Sequence, residues 1–513
     1  MNERSSTATE KIAYVSLGVL IAYAIVRSLF AAASKPLWYD ELLTLIVARQ
    51  SSPSMIWSAL AHGVDGQPPP FFFIEHAAGT FLPRAEISFR LPTILAFACV
   101  LLCVFGFVRR RSGPVYALVC AAMLLDTALY YPYATEARPY ELLVACIALA
   151  LVCYQRAPET RWVVLMGMSL LAAETMHYYA VFAFVPLGIA EVALSLKMHR
   201  LRAGVWLALA CGILPLAIFW PLLRQLKQMY GAHVWAHPTL RRAIASYPWL
   251  VHMPQHDHWQ PAFAAMVVLV LLGTLAALAF RNVRTVLLAD PFFHEYALIW
   301  ALLGLPFVVF AGTRLAHGGM DQRYFLSAAL AFPLAAGYIL PRLNRGITVL
   351  LAVLIVCMFA LQETRFWNTQ RGHLGRVVSP ADSVERVVSA AGHPELPVVV
   401  SNGFDYLQMA YYAPPEWAGR FVETVDPAKA VAYIGTDSVD KDQLAARSFY
   451  PLQVYEFQDF AADHPSFLLY LSGDADEWEW WPRALRDDGY SLQVIAADGR
   501  RKIYLVTRNG TSP

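Results

Sequence analysis

LPTILAFACVLLCVFGFVRRR, residues 91–111, decides how this chain is read. From Leu91 to Val108 it carries no charged side chain, and then three arginines follow in a row. A helix crosses a bilayer core with about 20 mostly apolar residues, and basic residues collect at its cytoplasmic end. The chain repeats this pattern. Comparable runs fall at 12–33, 114–132, 139–154, 162–177, 180–196, 203–222, 260–280, 296–313, 324–340 and 346–361, which makes about eleven spans. Composition agrees: 58% of the 513 residues are hydrophobic and only 15% charged, where soluble domains run nearer one quarter charged. The mean hydropathy of +0.44 points the same way.

Charge sets the orientation. The N-terminus is polar up to Glu10, and the apolar run from Ile12 is too long for a signal-peptide core, so it reads as a retained first helix. With the N-terminus inside, the cytoplasmic connections carry Arg109-Arg110-Arg111, Arg156 and Arg161, Lys197 with Arg200 and Arg202, Arg281 and Arg284, and Arg342 and Arg345. The apolar stretch Pro68–Leu82 is short and opens with three prolines. Counting it as a span would put every basic cluster outside, so it reads as an interfacial or re-entrant helix. Residues 34–90 and 223–259 are then external loops, and the chain from 362 onward also lies outside.

That C-terminal region changes character. Pro397–Ser401, Phe467–Leu471, Ser491–Ala496 and Lys502–Thr507 read as strands. Phe404–Tyr412 and Trp481–Asp487 read as helices, and Asp488-Gly489 and Asp498-Gly499 as turns. The expected organisation is an α-helical polytopic membrane domain, 1–361, including the external loop 34–90, followed by an extracytoplasmic α/β domain, 362–513. All seven cysteines fall in apolar segments, so the outer domain has no disulfide framework. No basic face interleaved with aromatics suggests nucleic acid as a partner.

Five ionisable clusters sit where this topology puts the outer surface. Trp38-Tyr39-Asp40-Glu41 follows the first run. Asp40 can be read as a helix cap before Leu42–Gln50, or as an acid facing a cavity. Asp65-Gly66-Gln67 leads into the three prolines, Phe71-Phe72-Phe73 and His76; a stiff loop with an aromatic anchor is the plainer reading. Glu136-Ala137-Arg138-Pro139-Tyr140 opens the fourth run. Its Glu136 and Arg138 either pair or solvate the loop, or Arg138 faces an anionic group while Glu136 holds it or binds a cation. His177-Tyr178-Tyr179 ends the fifth run, and Asp321-Gln322-Arg323-Tyr324 starts the tenth. Each has a bland reading as an interfacial anchor. Five such readings would have to coincide on one face.

Taken in order, these motifs resemble the GT-C glycosyltransferases of the protein O-mannosyltransferase-like type, including bacterial aminoarabinose-transferase relatives. The resemblance adds Arg90-Leu91-Pro92 at the second run and Val398–Pro414 in the outer domain, and covers nearly the whole chain. It implies transfer of a sugar from a polyprenyl-phosphate donor to an envelope glycolipid, polysaccharide or protein. The place it implies is the outer face of the bacterial inner membrane, with the N-terminus cytoplasmic and the C-terminal domain periplasmic. It maps Asp40 onto the catalytic carboxylate, with Glu41 beside it. Arg138, Arg323, Tyr324 and His177 become donor-phosphate residues, and Asp65, Gln67, Tyr140 and Tyr178 line the cavity. A divalent cation, Mg or Mn, is the candidate cofactor, with Glu136 and His177 as its ligands. An acceptor hydroxyl needs a base, and a departing lipid phosphate needs fixed positive charge. Two other readings stand beside this one: a lipid-linked sugar flippase, although polar exceptions near mid-span are few, with Asp126 and Glu174 the clearest, and a catalytically silent glycolipid-binding scaffold.

Overall fold

The structure, a computed structural model, describes residues 3–253, 258–371, 377, 380–473 and 478–508. Residues 254–257 of the expected second external loop lie outside the described residues. The chain divides into two compact units. One comprises Met1–Ala32, Phe81–Trp220 and Ala236–Leu374; the other comprises Ala33–Thr80, Pro221–Trp235 and Gly375–Pro513.

The first unit is a bundle of apolar helices, and all eleven runs are helical over most of their length. Among the described residues six helices are long and apolar enough to cross a membrane, or eight if each of two bent pairs is one span. Breaks and short helices account for the distance from eleven. Phe293–Leu303 and Leu305–Ala316 meet at Gly304 with a 59° bend, where Pro306 cannot donate back into the preceding turn. Tyr140–Tyr154 has 15 residues, about 22 Å at 1.5 Å per residue. Leu91–Ser112 runs unbroken and ends at Gly113, whose φ of 84° suits glycine, and Pro114 opens the next helix. In their most apolar windows, Ala85–Ser112 is 61% buried but Arg345–Gln370 only 6%. The outer helices therefore present apolar side chains that only lipid can cover.

Two polar networks mark opposite ends of Tyr140–Tyr154. At the Tyr154 end, Glu295 is fully buried and accepts from Arg111 Nε at 2.9 Å, from Gln155 Nε2 at 3.3 Å and from the Tyr338 hydroxyl. Arg202 pairs with buried Glu191 and lies over the Tyr154 ring. Several arginines of the basic loops thus have buried acids as partners, which sequence reading left out. The Tyr140 end holds the cluster described below.

The second unit is built on a six-stranded sheet: β1 (Val398–Val400), β2 (Phe421–Val425), β3 (Val454–Glu456), β4 (Ser466–Leu471), β5 (Tyr490–Asp498) and β6 (Arg501–Arg508). Its order is β3-β2-β1-β4-β6-β5. The first four are parallel, β6 is antiparallel to β4, and β5 closes a hairpin on β6. β1, β4, β5, β6 and both expected helices stand where the sequence puts them, with Gly489 and Gly499 at positive φ in the turns. β2 and β3 were not foreseen. Phe-Val-Glu-Thr-Val reads as interrupted by charge, yet all five residues of β2 are buried, Glu423 included.

The external loop belongs to this unit by packing. Leu37 N–H donates to the Tyr412 hydroxyl at 2.8 Å and Gln408 Nε2 to the Leu37 carbonyl at 2.9 Å. Gln50 Nε2 reaches the Phe449 carbonyl at 3.1 Å. Tyr39–Ala48 is almost wholly buried rather than half-exposed, because the loop is wrapped by the domain that follows it some 350 residues later. Pro69–Phe81 is a 13-residue helix, too short to span.

Candidate active site

In the first unit, three motifs distant in sequence meet around His177. The helix Thr160–Met176 stops at Met176, and His177 follows in extended conformation, buried at 3% exposure. The Tyr140 ring lies 5.3 Å from its ring and the Tyr324 ring also 5.3 Å. Tyr179 stacks on Tyr324 at 4.5 Å and its hydroxyl donates to the Gly319 carbonyl at 2.7 Å. The Arg323 guanidinium lies 5.6 Å from the centre of the Tyr140 ring, with its Nε 3.2 Å from Asp321. Arg138 is buried, and its charge and that of Arg323 both act on His177. Pro139, the N-cap, precedes Tyr140, so Arg138 and Tyr140 flank the helix start. The His177 Nδ1 accepts from Tyr179 N–H at 3.0 Å, while its Nε2 has no hydrogen-bond partner among the described residues. Arginines, a histidine and tyrosine hydroxyls are the groups that hold a phosphate.

Glu136 and Tyr178 are also buried in this unit. Glu136 and His177 are the expected cation ligands, and the Arg138 and Arg323 guanidinium groups act on His177. Among the described residues no group of three or more His, Cys, Asp or Glu is arranged to hold a metal ion.

Asp40, Glu41, Asp65 and Gln67 lie in the second unit. The helix begins at Tyr39, with Trp38 as N-cap. Glu41, fully buried, accepts from Trp38 N–H at 3.1 Å and so holds the helix start. Asp40 is therefore not the cap; it sits in the first turn, and its carboxylate acts electrostatically on Asp442 together with that of Asp65. Sequence reading missed Asp442. The Tyr230 hydroxyl donates to it at 2.7 Å and the Tyr39 hydroxyl at 3.2 Å. Burial, first, and then the Asp65 and Asp40 carboxylates push the Asp442 carboxyl well above the usual range, against the pull of the Tyr230 and Tyr39 hydroxyls. Asp442 stands in Asp440-Lys441-Asp442, which reads as a solvated helix face, so only packing could single it out. Gln67 is buried at 9% exposure with its Oε1 unpartnered among the described residues.

No protein-family model and no curated protein matches the chain. Solved structures do. ArnT (aminoarabinose transferase) from Cupriavidus metallidurans in the apo state is similar at 14% identity over 96% of this chain and 98% of that one, with a TM-score of 0.50. The chain has a GT-C fold. The same ArnT bound to undecaprenyl phosphate gives a TM-score of 0.49 at 15% identity over 95% and 97% of the two chains. An Archaeoglobus fulgidus oligosaccharyltransferase tethered with an acceptor peptide gives 0.44 at 11% identity, over 92% of this chain and 73% of that one. The GT-C fold agrees with the motif order from Asp40 to Tyr324; at this identity the likeness concerns the fold and not the reaction.

Proposed function

We propose that the protein is an inverting glycosyltransferase that moves a sugar from a polyprenyl-phosphate donor to a lipid, glycan or protein acceptor. Its place is the outer face of the bacterial inner membrane, with the N-terminus cytoplasmic and the α/β domain periplasmic. The observation that carries this reading is the cluster of Arg138, His177, Arg323, Tyr140 and Tyr324 from three separate motifs in the membrane unit, with Arg138, His177 and Tyr140 buried. A lipid phosphate brings its charge to the edge of the apolar bundle, and the Arg138 and Arg323 guanidinium groups receive it. Asp40 takes the proton from the acceptor hydroxyl as its oxygen attacks the anomeric carbon. The bond from that carbon to the phosphate oxygen breaks, and the electron pair leaves with the phosphate. Arg138 and Arg323 stabilise the charge that builds there. Direct displacement inverts the anomeric centre, and no step is routed through a metal. The bent pair Phe293–Leu303 and Leu305–Ala316 is the kind of broken helix a flippase would use, but the break carries Gly304 and Pro306 and no ionisable group.

The test is complementation of a deletion strain with wild type or Asp40→Asn, reading envelope glycolipids and glycans by mass spectrometry. The variant is expected in the membrane at wild-type level with the modified product reduced by a factor of about 10² to 10⁴. Wild-type product levels in that strain would remove Asp40 as the base.

A further inference from the structure

The sheet of the second unit reverses its winding between β1 and β4. The chain leaves β1 for β2 and β3 on one side, then returns to β4 on the other. In doubly wound sheets this switch point opens a crevice beyond the carboxyl ends of the strands, where ligands bind. Here the crevice holds a cavity lined by Ser401 just past β1, Glu423 of β2, Asp440, and the indoles of Trp478, Trp480 and Trp481. Its free volume is about 10 Å³, room for one group the size of a water molecule.

The lining is specific. Ser401 and Glu423 are each 3% exposed, and Ser401 Oγ and Glu423 Oε2 have no hydrogen-bond partner among the described residues. Among the described residues no lysine or arginine lines the cavity. Among the described residues the charges that act on Glu423 are those of Asp440 and Asp405, and burial, first, with these two carboxylates holds the Glu423 carboxyl well above the usual carboxylate range. Trp480 and Trp481 stack at 4.3 Å, and Phe404 sets its edge to Trp478 at 5.1 Å. Buried carboxylates without a cation are costly. An anion would add to the repulsion, a hydroxyl would leave Glu423 and Asp440 protonated, and a cation would let them ionise. An ammonium group supplies the charge and three donors in the volume of a water, and indole faces attract it. A quaternary ammonium exceeds the volume.

We propose that this cavity binds the primary ammonium group of a small ligand, an amino sugar or an ethanolamine head, with Glu423 and Asp440 accepting its hydrogen bonds and the indoles forming its walls. The proposal does not rest on the transfer reaction proposed above.

Isothermal titration calorimetry of the full-length protein in detergent tests this, with ethanolamine and glucosamine as probes. Ethylene glycol, glucose and choline are the controls. At least one amine is expected to bind saturably, with a Kd on the order of 1 mM, weakened tenfold or more by Glu423→Gln, while the three controls give no saturable heat. Binding of ethanolamine alone identifies a lipid head, and binding of glucosamine alone an amino sugar. Ethylene glycol or glucose binding as well as the amines would overturn the proposal in favour of a neutral polyol. No binding of either amine, or unchanged binding in Glu423→Gln, would leave the cavity to water alone. Asp440→Asn carries the same expectation and decides the matter if Glu423→Gln does not fold.

Discussion

Asp40 and Glu41 are adjacent in sequence and divided in work. One carboxylate, Glu41, is spent on the backbone N–H of Trp38. That fixes the helix start at Tyr39 and leaves Asp40 in the first turn, where its charge acts on Asp442. A helix advances about 100° per residue, so two neighbouring acids cannot share a direction. The same separation of roles holds for Arg323 and Asp321, where the acid positions the base at 3.2 Å. Arg323→Ala is expected to raise the apparent KM for the lipid donor at least tenfold with a smaller change in kcat, because a removed phosphate contact is mainly lost binding. Lysine at this position should restore only part, since it lacks the planar fork. Steady-state kinetics over a donor titration measures this, and an unchanged donor dependence would take Arg323 out of the site.

At the scale of elements, β2 and the helix Ser438–Ala446 show how burial alters charge. Burial, first, and then the Asp426 and Asp437 carboxylates push Asp440 up to about 7, while the Asp426 N–H pulls the other way. The native chain then holds a proton that the unfolded chain releases near 3.8. Stability therefore falls as pH rises from about 4 to 7, and the penalty is full above 7. Asp440→Asn keeps an acceptor for Asp426 N–H and removes the charge. It is expected to raise the unfolding midpoint at pH 8 by the equivalent of up to about 4 kcal/mol. The gain should shrink by pH 5 and vanish below 4. Thermal unfolding at three pH values reads this, and a pH-independent gain would show that charge is not its cause.

Across the whole molecule, the ends of the membrane helices are fixed by buried pairs more than by the loops that join them. Arg111 sits in the last turn of one helix, Gln155 caps the end of another, and Glu295 stands in the first turn of a third; all three meet. Removing one partner of a buried pair costs about 3–5 kcal/mol. Arg111→Ala and Glu295→Ala should each lower thermal stability by that order. The double variant should cost less than their sum. Strict additivity in detergent would show that the two do not act as a pair. The external loop makes the same point differently: Leu37 and Gln50 are satisfied by Tyr412, Gln408 and Phe449, so residues 33–80 fold with the α/β domain rather than with the helices beside them in sequence.

The sequence by itself determined the apolar helices, the basic connections, four of the six strands with their turn glycines, and the ordered motifs from Asp40 to Tyr324. These depend on local composition and on backbone geometry, because a bilayer or a sheet face selects side chains by hydropathy and period. Only the tertiary structure decided that the Arg138 and Arg323 charges act on His177, that Glu41 holds a helix start, and that Asp442, Glu295 and Glu423 are buried. A carboxylate in sequence looks the same in water and in a core. Its partners, and so its energy and its chemistry, are set by residues hundreds of positions away.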